Sequence, residues 1–231
     1  MPSILNSTTL LFFTWVCVFM PWAAWTSYRK IKSGQPLTPK LKRFRMGAIL
    51  LTFTGLISYN TAEISKIKLS FQPEFWSLLY GGVFLLALIH AVARGQHRVP
   101  AEHRERIRLL YAPTTPTELS WSLLNGTCAG VFEEITYRAV LYELFGRQFG
   151  YGISFVLCVL FFVVAHLPQG LRGAIGVAIL AMLFHITYIL SGSLLAPILV
   201  HAIYDVALFI ILYLRERKNP VALQQPIEQP A

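Results

Sequence analysis

The sequence predicts an all-α protein, a polytopic membrane helix bundle of about seven transmembrane helices, with its N-terminus outside and its C-terminus in the cytoplasm. Three observations carry that expectation. First, the 231 residues are 55% hydrophobic and only 13% charged, where a soluble domain carries about a quarter of its residues as Asp, Glu, Lys and Arg. Second, apolar runs long enough to cross the roughly 30 Å hydrocarbon core recur along the chain. Third, the basic residues fall almost entirely on one set of alternate loops.

Taken in order, hydropathy places spans at 4–28, 46–61, 75–93, 116–146, 152–167, 173–190 and 194–214. The first span has no basic segment before it and an apolar stretch longer than that of a signal peptide, so it reads as a retained helix. Pro21 near its end is expected to kink or terminate it. Spans one to three lack obvious intramembrane charge, and residues 1–115 read as an N-terminal scaffold. The segment "AEHRERIRLLYA" (101–112) fits a short amphipathic helix on the cytoplasmic surface or a solvated basic loop. The fourth span opens with "TPTE": Thr115 as cap, Pro116 in the first turn and Glu118 closing a capping box. At about 1.5 Å per residue it is roughly 46 Å long, so it must tilt, kink or project. Residues 116–214 read as the polar, chemistry-bearing core. The remainder, 215–231, reads as a disordered cytoplasmic tail without periodicity.

The net charge of +9 is explained by topology. Seven spans assign 16 basic residues to the loops on one side (Arg29 to Arg45, Arg94 to Arg108, Arg172, and Arg215, Arg217 and Lys218). They leave Lys66, Lys68 and Arg147 on the other. This is the positive-inside pattern and attraction to anionic lipid, with no need of a nucleic acid. Cys17, Cys128 and Cys158 all lie in apolar runs and read as packing residues.

Polar chemistry enters the membrane in the second half. Glu133, Glu134 and Asp205, the last being the only aspartate, lie inside predicted spans. Each costs at least about 2.5–3.5 kcal/mol there, which makes a functional site the default expectation. Glu134 and Arg138 are i,i+4 and can pair. Glu133 lies 100° round the helix, about 26 Å along it, with Tyr137 rather than a cation as its same-face neighbour. A desolvated carboxylate of this kind suits a general base. "GTCAG" sets Gly126 and Gly130 in the small-xxx-small spacing that admits a neighbouring backbone. Phe162 and His166 share a face of the fifth span, and His201 and Asp205 share one of the last. A carboxylate and a histidine can bind and deprotonate a water; a second histidine, with Asp205, can hydrogen-bond a developing oxyanion. His185, one turn before Tyr188, reads as structural, at most bordering the site. By these boundaries His166 falls near the cytoplasmic end of its span and His201 nearer the outer end of its own, a stagger that the sequence leaves open.

The motifs "EEITYR" (133–138), "FVVAH" (162–166) and "HAIYD" (201–205), with the stretch 191–205 leading into the last, resemble the CPBP family of CAAX prenyl endoproteases, bacteriocin-processing proteins and related membrane proteases. The resemblance covers roughly residues 118–206. It implies an intramembrane glutamate-type protease in which Glu133 and His166 activate water, His201 and Asp205 support the oxyanion, and Glu134, Arg138 and Phe162 stabilise the site. Two departures stand out. The family often has asparagine where this chain has Asp205, so either Asp205 is protonated or it orients His201, which then donates. Ala139 stands where glycine is common. The implied substrate is a peptide or protein with a lipidated or transmembrane C-terminal segment, met in the membrane lipid, with no cofactor.

Other readings compete. Glu and His also ligate zinc, giving a metal-dependent membrane hydrolase, although no H-E-x-x-H occurs. A non-enzymatic immunity or chaperone-like factor would retain the motif for structure. A proton-coupled transporter is disfavoured by ionisable groups crowded into one half without repeat symmetry.

Overall fold

The computed structural model describes residues 6–72, 75–95 and 100–218. Among the described residues there are eight helices and no strand. They are α1 (Ser7–Lys32), α2 (Lys40–Ile64), α3 (Phe75–Gly95), α4 (Ala101–Tyr111), α5 (116–149), α6 (Tyr151–Ala165), α7 (Gly170–Ser191) and α8 (Leu195–Lys218). Each predicted span corresponds to one helix, because long apolar runs leave the backbone no partner but itself. Three segments combine the length and apolarity needed to cross a membrane: Ser7–Lys32, Leu167–Ser191 and Leu195–Lys218. Shorter apolar helices cover Leu78–His90 and Tyr151–Ala165. The polar residues concentrated on α5 keep it out of that class, although it sits at the centre of the bundle.

Several local expectations are corrected. Pro21 neither ends nor breaks α1, which continues to Lys32. A π-helical stretch, Thr14–Phe19, precedes it, and the Met20 amide reaches back to the Trp15 carbonyl. That wider turn accommodates a residue with no N–H to give. Thr115 caps α5 by accepting from the Glu118 amide at 3.1 Å, but Glu118 returns its carboxylate to Thr114, accepting from its amide and its hydroxyl at 2.8 Å each. The reciprocal contact is thus displaced one residue outward from a capping box. Residues 101–111 are helical. Helix α8 runs through Lys218, so the tail assigned to 215–231 loses its first four residues to the helix; the rest of that segment, 219–231, lies outside the described residues.

The long helix α5 packs between α2 and α8, α6 folds back beside its C-terminal part, and α7 packs on α6. Helix α3 covers α8. The first part of α1 lies on α2, while its second half crosses to α6 and the turn Leu167–Gln169. Phe12 and Val16 of α1 are fully buried in the same core as Val140, Leu141 and Leu194. Glycines set the closest approaches. A Cβ on Gly130 would fall 2.5 Å from the Ala202 backbone, and one on Gly126 would meet Asp205 and Phe209. The GTCAG spacing therefore docks α5 on α8. On the other side Gly55 of α2 gives way to the Phe132 ring.

One end of the bundle gathers the basic segments. Lys40 donates to the Ala112 carbonyl (2.9 Å), and Arg43 donates to the Leu109 and Leu110 carbonyls (2.6 and 3.2 Å), closing the C-terminus of α4. Arg108 pairs with Glu216 of α8 at 2.8 Å. At the other end Arg147 donates to the Ser65 carbonyl, and Gly150 (φ +87°) turns α5 into α6.

Candidate active site

Glu133 and Glu134 close the regular part of α5, and a π-helical segment, Ile135–Leu141, follows at once. All seven residues of that segment are buried. A π turn spreads successive side chains through a smaller angle than an α turn, so more of them face inward; such turns recur at functional sites.

Glu134 is fully buried and has two partners: Arg138 Nε at 3.2 Å and His201 Nδ1 at 2.7 Å. A carboxylate only accepts, so His201 donates from Nδ1. The expected Glu134–Arg138 pair is present, and His201 is a third member that the spacing did not announce. Arg138, 1% exposed, pairs with Glu134 by charge and donates a hydrogen bond to the Ala181 carbonyl at 3.3 Å. Its guanidinium lies 4.6 Å from the centre of the Phe162 ring and 5.7 Å from that of Phe184. Hydrogen bonds and ring faces together offset the desolvation of a buried ion pair.

With Nδ1 engaged, His201 turns Nε2 toward two carboxylates, Asp205 Oδ2 at 3.7 Å and Glu133 Oε2 at 4.0 Å. These distances exceed direct hydrogen bonding; at such spacing a single oxygen atom can bridge the groups. The residue that orients His201 is Glu134, which corrects the alternative giving that task to Asp205. The His201 ring is also stacked on Phe184 at 4.7 Å. Phe184 was not singled out from the sequence, since an apolar aromatic in an apolar span carries no signal of its own.

His166 sits at the C-terminus of α6. Its Nδ1 lies 2.7 Å from the Phe162 carbonyl, and its ring is stacked on Phe162 at 4.6 Å. The carbonyl can only accept, so Nδ1 carries the hydrogen; the tautomer with hydrogen on that nitrogen alone offers Nε2 as a lone-pair acceptor. Glu133, His166, His201 and Asp205 all line one cavity of about 440 Å³, with Phe162, Phe184, Tyr111, Gln169 and Tyr204. The N-terminal half supplies the opposite wall, including Trp15, Phe19, Met20, Leu50 and Leu51. Trp15 is held by a 2.9 Å hydrogen bond to Thr54 and stacks on Phe19 at 4.4 Å.

The apparent stagger between His166 and His201 is resolved by where α8 begins. The turn before it is inside the protein: Ser193 and Leu194 are fully buried. The Leu194 amide donates to the Ser70 carbonyl at 2.7 Å, and the Ser191 and Ser193 hydroxyls accept from the Ser193 and Leu195 amides. Helix α8 thus starts below the end of the bundle, and its second turn brings His201 to Glu134. The polar stretch Ser191–Gly192–Ser193 is the means by which a buried turn satisfies its backbone.

His185 lies apart from the cavity, enclosed by Tyr142 (4.4 Å) and Phe155 (5.0 Å) in T-shaped contacts. Among the described residues no group of three or more His, Cys, Asp and Glu side chains is arranged to hold a metal ion.

The chain has been compared with known proteins. No curated protein and no solved structure matches it. A family model, type II CAAX prenyl endopeptidase Rce1-like, matches residues 115–207. That segment contains Glu133, Glu134, Arg138, His166, His201 and Asp205. Residues 115–207 are accordingly similar to the Rce1-like type II CAAX prenyl endopeptidase family, a family of membrane-embedded peptidases.

Proposed function

We propose that the protein is a multi-pass intramembrane endopeptidase that hydrolyses a peptide bond near the C-terminus or membrane anchor of a lipidated substrate, with water as nucleophile. The observation that carries this reading is the convergence of Glu133, His166, His201 and Asp205 on one cavity whose other walls are largely apolar. An apolar wall suits an isoprenoid or acyl chain, and the polar corner suits the scissile peptide group.

In this mechanism Glu133 and His166 Nε2 hold a water molecule, and Glu133 takes one of its protons as the oxygen attacks the carbonyl carbon. The carbonyl π-bond electrons move to oxygen, and the resulting oxyanion is met by His201 Nε2–H, whose ring Glu134 fixes through Nδ1. Asp205 lies beside the same nitrogen and favours the positive charge of the imidazolium that meets the oxyanion. Collapse of the tetrahedral intermediate breaks the C–N bond. Glu133 returns its proton to the departing amine, which leaves a carboxylic acid, still carrying the second water proton, and an amine, and restores the site. Arg138 and Phe162 hold Glu134 and His166 in position. No metal takes part.

The chain crosses the membrane seven times with its C-terminus in the cytoplasm; the gathering of the basic segments at one end of the bundle supports that topology. The test is Glu133→Gln, reconstituted in liposomes and assayed on a fluorogenic S-farnesylated CAAX peptide. Cleavage should fall by about 10²–10⁴-fold, the usual worth of a general base, with membrane insertion unchanged. Cleavage at the wild-type rate would overturn the assignment, and loss of wild-type activity with chelator would move the reaction to a metal.

A further inference from the structure

Asn125 lies on α5 and lines the cavity, and its Oδ1 is buried with no hydrogen-bond partner among the described residues. Other polar side chains of α2 are paired: Ser58 with Thr136 of α5 at 2.8 Å, and Thr54 with Trp15 of α1 at 2.9 Å. A carboxamide serving only to join the helices would have such a partner on α2. What faces it there is Gly47, where a Cβ would come 2.5 Å from Oδ1. The carboxamide oxygen fills the space that the missing side chain leaves, at the edge of the cavity that Asn125 lines.

Asn125, Ala129 and Glu133 are i, i+4 and i+8 on a regular α-helical stretch, and all three line the cavity. Eight residues rise about 12 Å. An extended peptide advances about 3.3 Å per residue, so the same distance covers between three and four of its residues. A carboxamide carries one acceptor and one donor group, the complement of a backbone N–H and C=O.

We propose that Asn125 is a substrate-binding residue, holding the peptide backbone three to four residues from the scissile bond and so setting the register in which an extended substrate reaches Glu133. The inference rests on the peptidase reading above. It assigns the stripe from Asn125 to Glu133 as the track of the peptide, leaving the wall of Trp15, Phe19 and Leu50 to the lipid chain.

Two measurements test it. In proteoliposomes, Asn125→Ala should raise KM for the S-farnesylated CAAX peptide roughly three- to tenfold with kcat little changed, the signature of lost binding made equally in ground and transition states. Gly47→Ala should do the same by displacing the carboxamide, yet add nothing in the Asn125→Ala background. Additive effects, or a fall in kcat alone, would overturn the proposal. Independently of turnover, Asn125→Cys in a chain with Cys17, Cys128 and Cys158 replaced by Ala should be alkylated by S-farnesylated peptides bearing a bromoacetyl group three or four residues from the scissile bond. Peptides carrying it on the adjacent residue should not react. Alkylation without cleavage by the wild type would leave the register standing and remove the peptidase reading. Cleavage without position-dependent alkylation would remove the register alone, and absence of both would remove both.

Discussion

At the scale of single residues, the two adjacent glutamates have different surroundings and should fail differently. Glu134 joins Arg138 and His201, and all three side chains are almost completely buried. Glu134→Leu would leave a guanidinium desolvated and unpaired, and removing one partner of a buried pair costs about 3–5 kcal/mol. The variant should show a clearly lower Tm in detergent than the wild type, whereas Glu133→Gln should unfold close to the wild-type temperature while losing cleavage. Equal Tm values for the two variants would contradict the ion-pair triad. Arg138→Lys should not restore what Arg138 does, because an ammonium cannot at once pair with Glu134, reach the Ala181 carbonyl and offer a planar cation to the Phe162 and Phe184 rings. It should lower Tm relative to the wild type in the same assay.

At the scale of elements, the site depends on how closely α5 and α8 approach. Gly130 lies against the Ala202 backbone, one residue from His201. Gly130→Val would force the helices apart and lengthen the 2.7 Å contact between His201 and Glu134. Displacements of about 1 Å in catalytic groups can cost roughly 10²-fold in rate, so cleavage should fall by about that much even where the protein still inserts. Gly152→Val, on α6, meets nothing within 4 Å and supplies the control; it should retain activity. A Gly130→Val enzyme as active as this control would show that close docking of α5 on α8 is not what aligns the site. The buried turn at 191–194 is the second such device, since it determines how deep α8 begins.

At the scale of the whole molecule, the ends of the bundle differ in charge, and seven crossings would place the 33–39 connection in the cytoplasm and Lys68 outside. In a chain without its native cysteines, Ser33→Cys and Lys68→Cys, both at exposed positions, should be labelled from opposite sides of sealed vesicles by an impermeant maleimide. Labelling from the same side would contradict the topology.

Helix positions were legible in the sequence because hydropathy is a local property and a lipid-exposed backbone must hydrogen-bond within its own segment. The Glu134–Arg138 and His201–Asp205 pairings were legible for the same reason, each lying within one helix turn. Residues that act through neighbours distant in the chain were not: Phe184 beneath His201, the Ala181 carbonyl on Arg138, and Trp15 and Tyr111 in the cavity wall are ordinary apolar or aromatic positions until packing brings them together. The π-helical turns at 14–19 and 135–141 were hidden too, because an inserted residue is tolerated only where surrounding side chains fill the widened turn. By itself the sequence determined that the chain is helical and apolar, and which polar groups lie within apolar helices. Only the tertiary structure decided that Glu134 rather than Asp205 holds His201, and that Glu133 and Asp205 both face its other nitrogen. Those choices rest on the depth at which α8 begins and on its close approach at Gly130, which involve segments about 70 residues apart or more and leave no periodic trace in either.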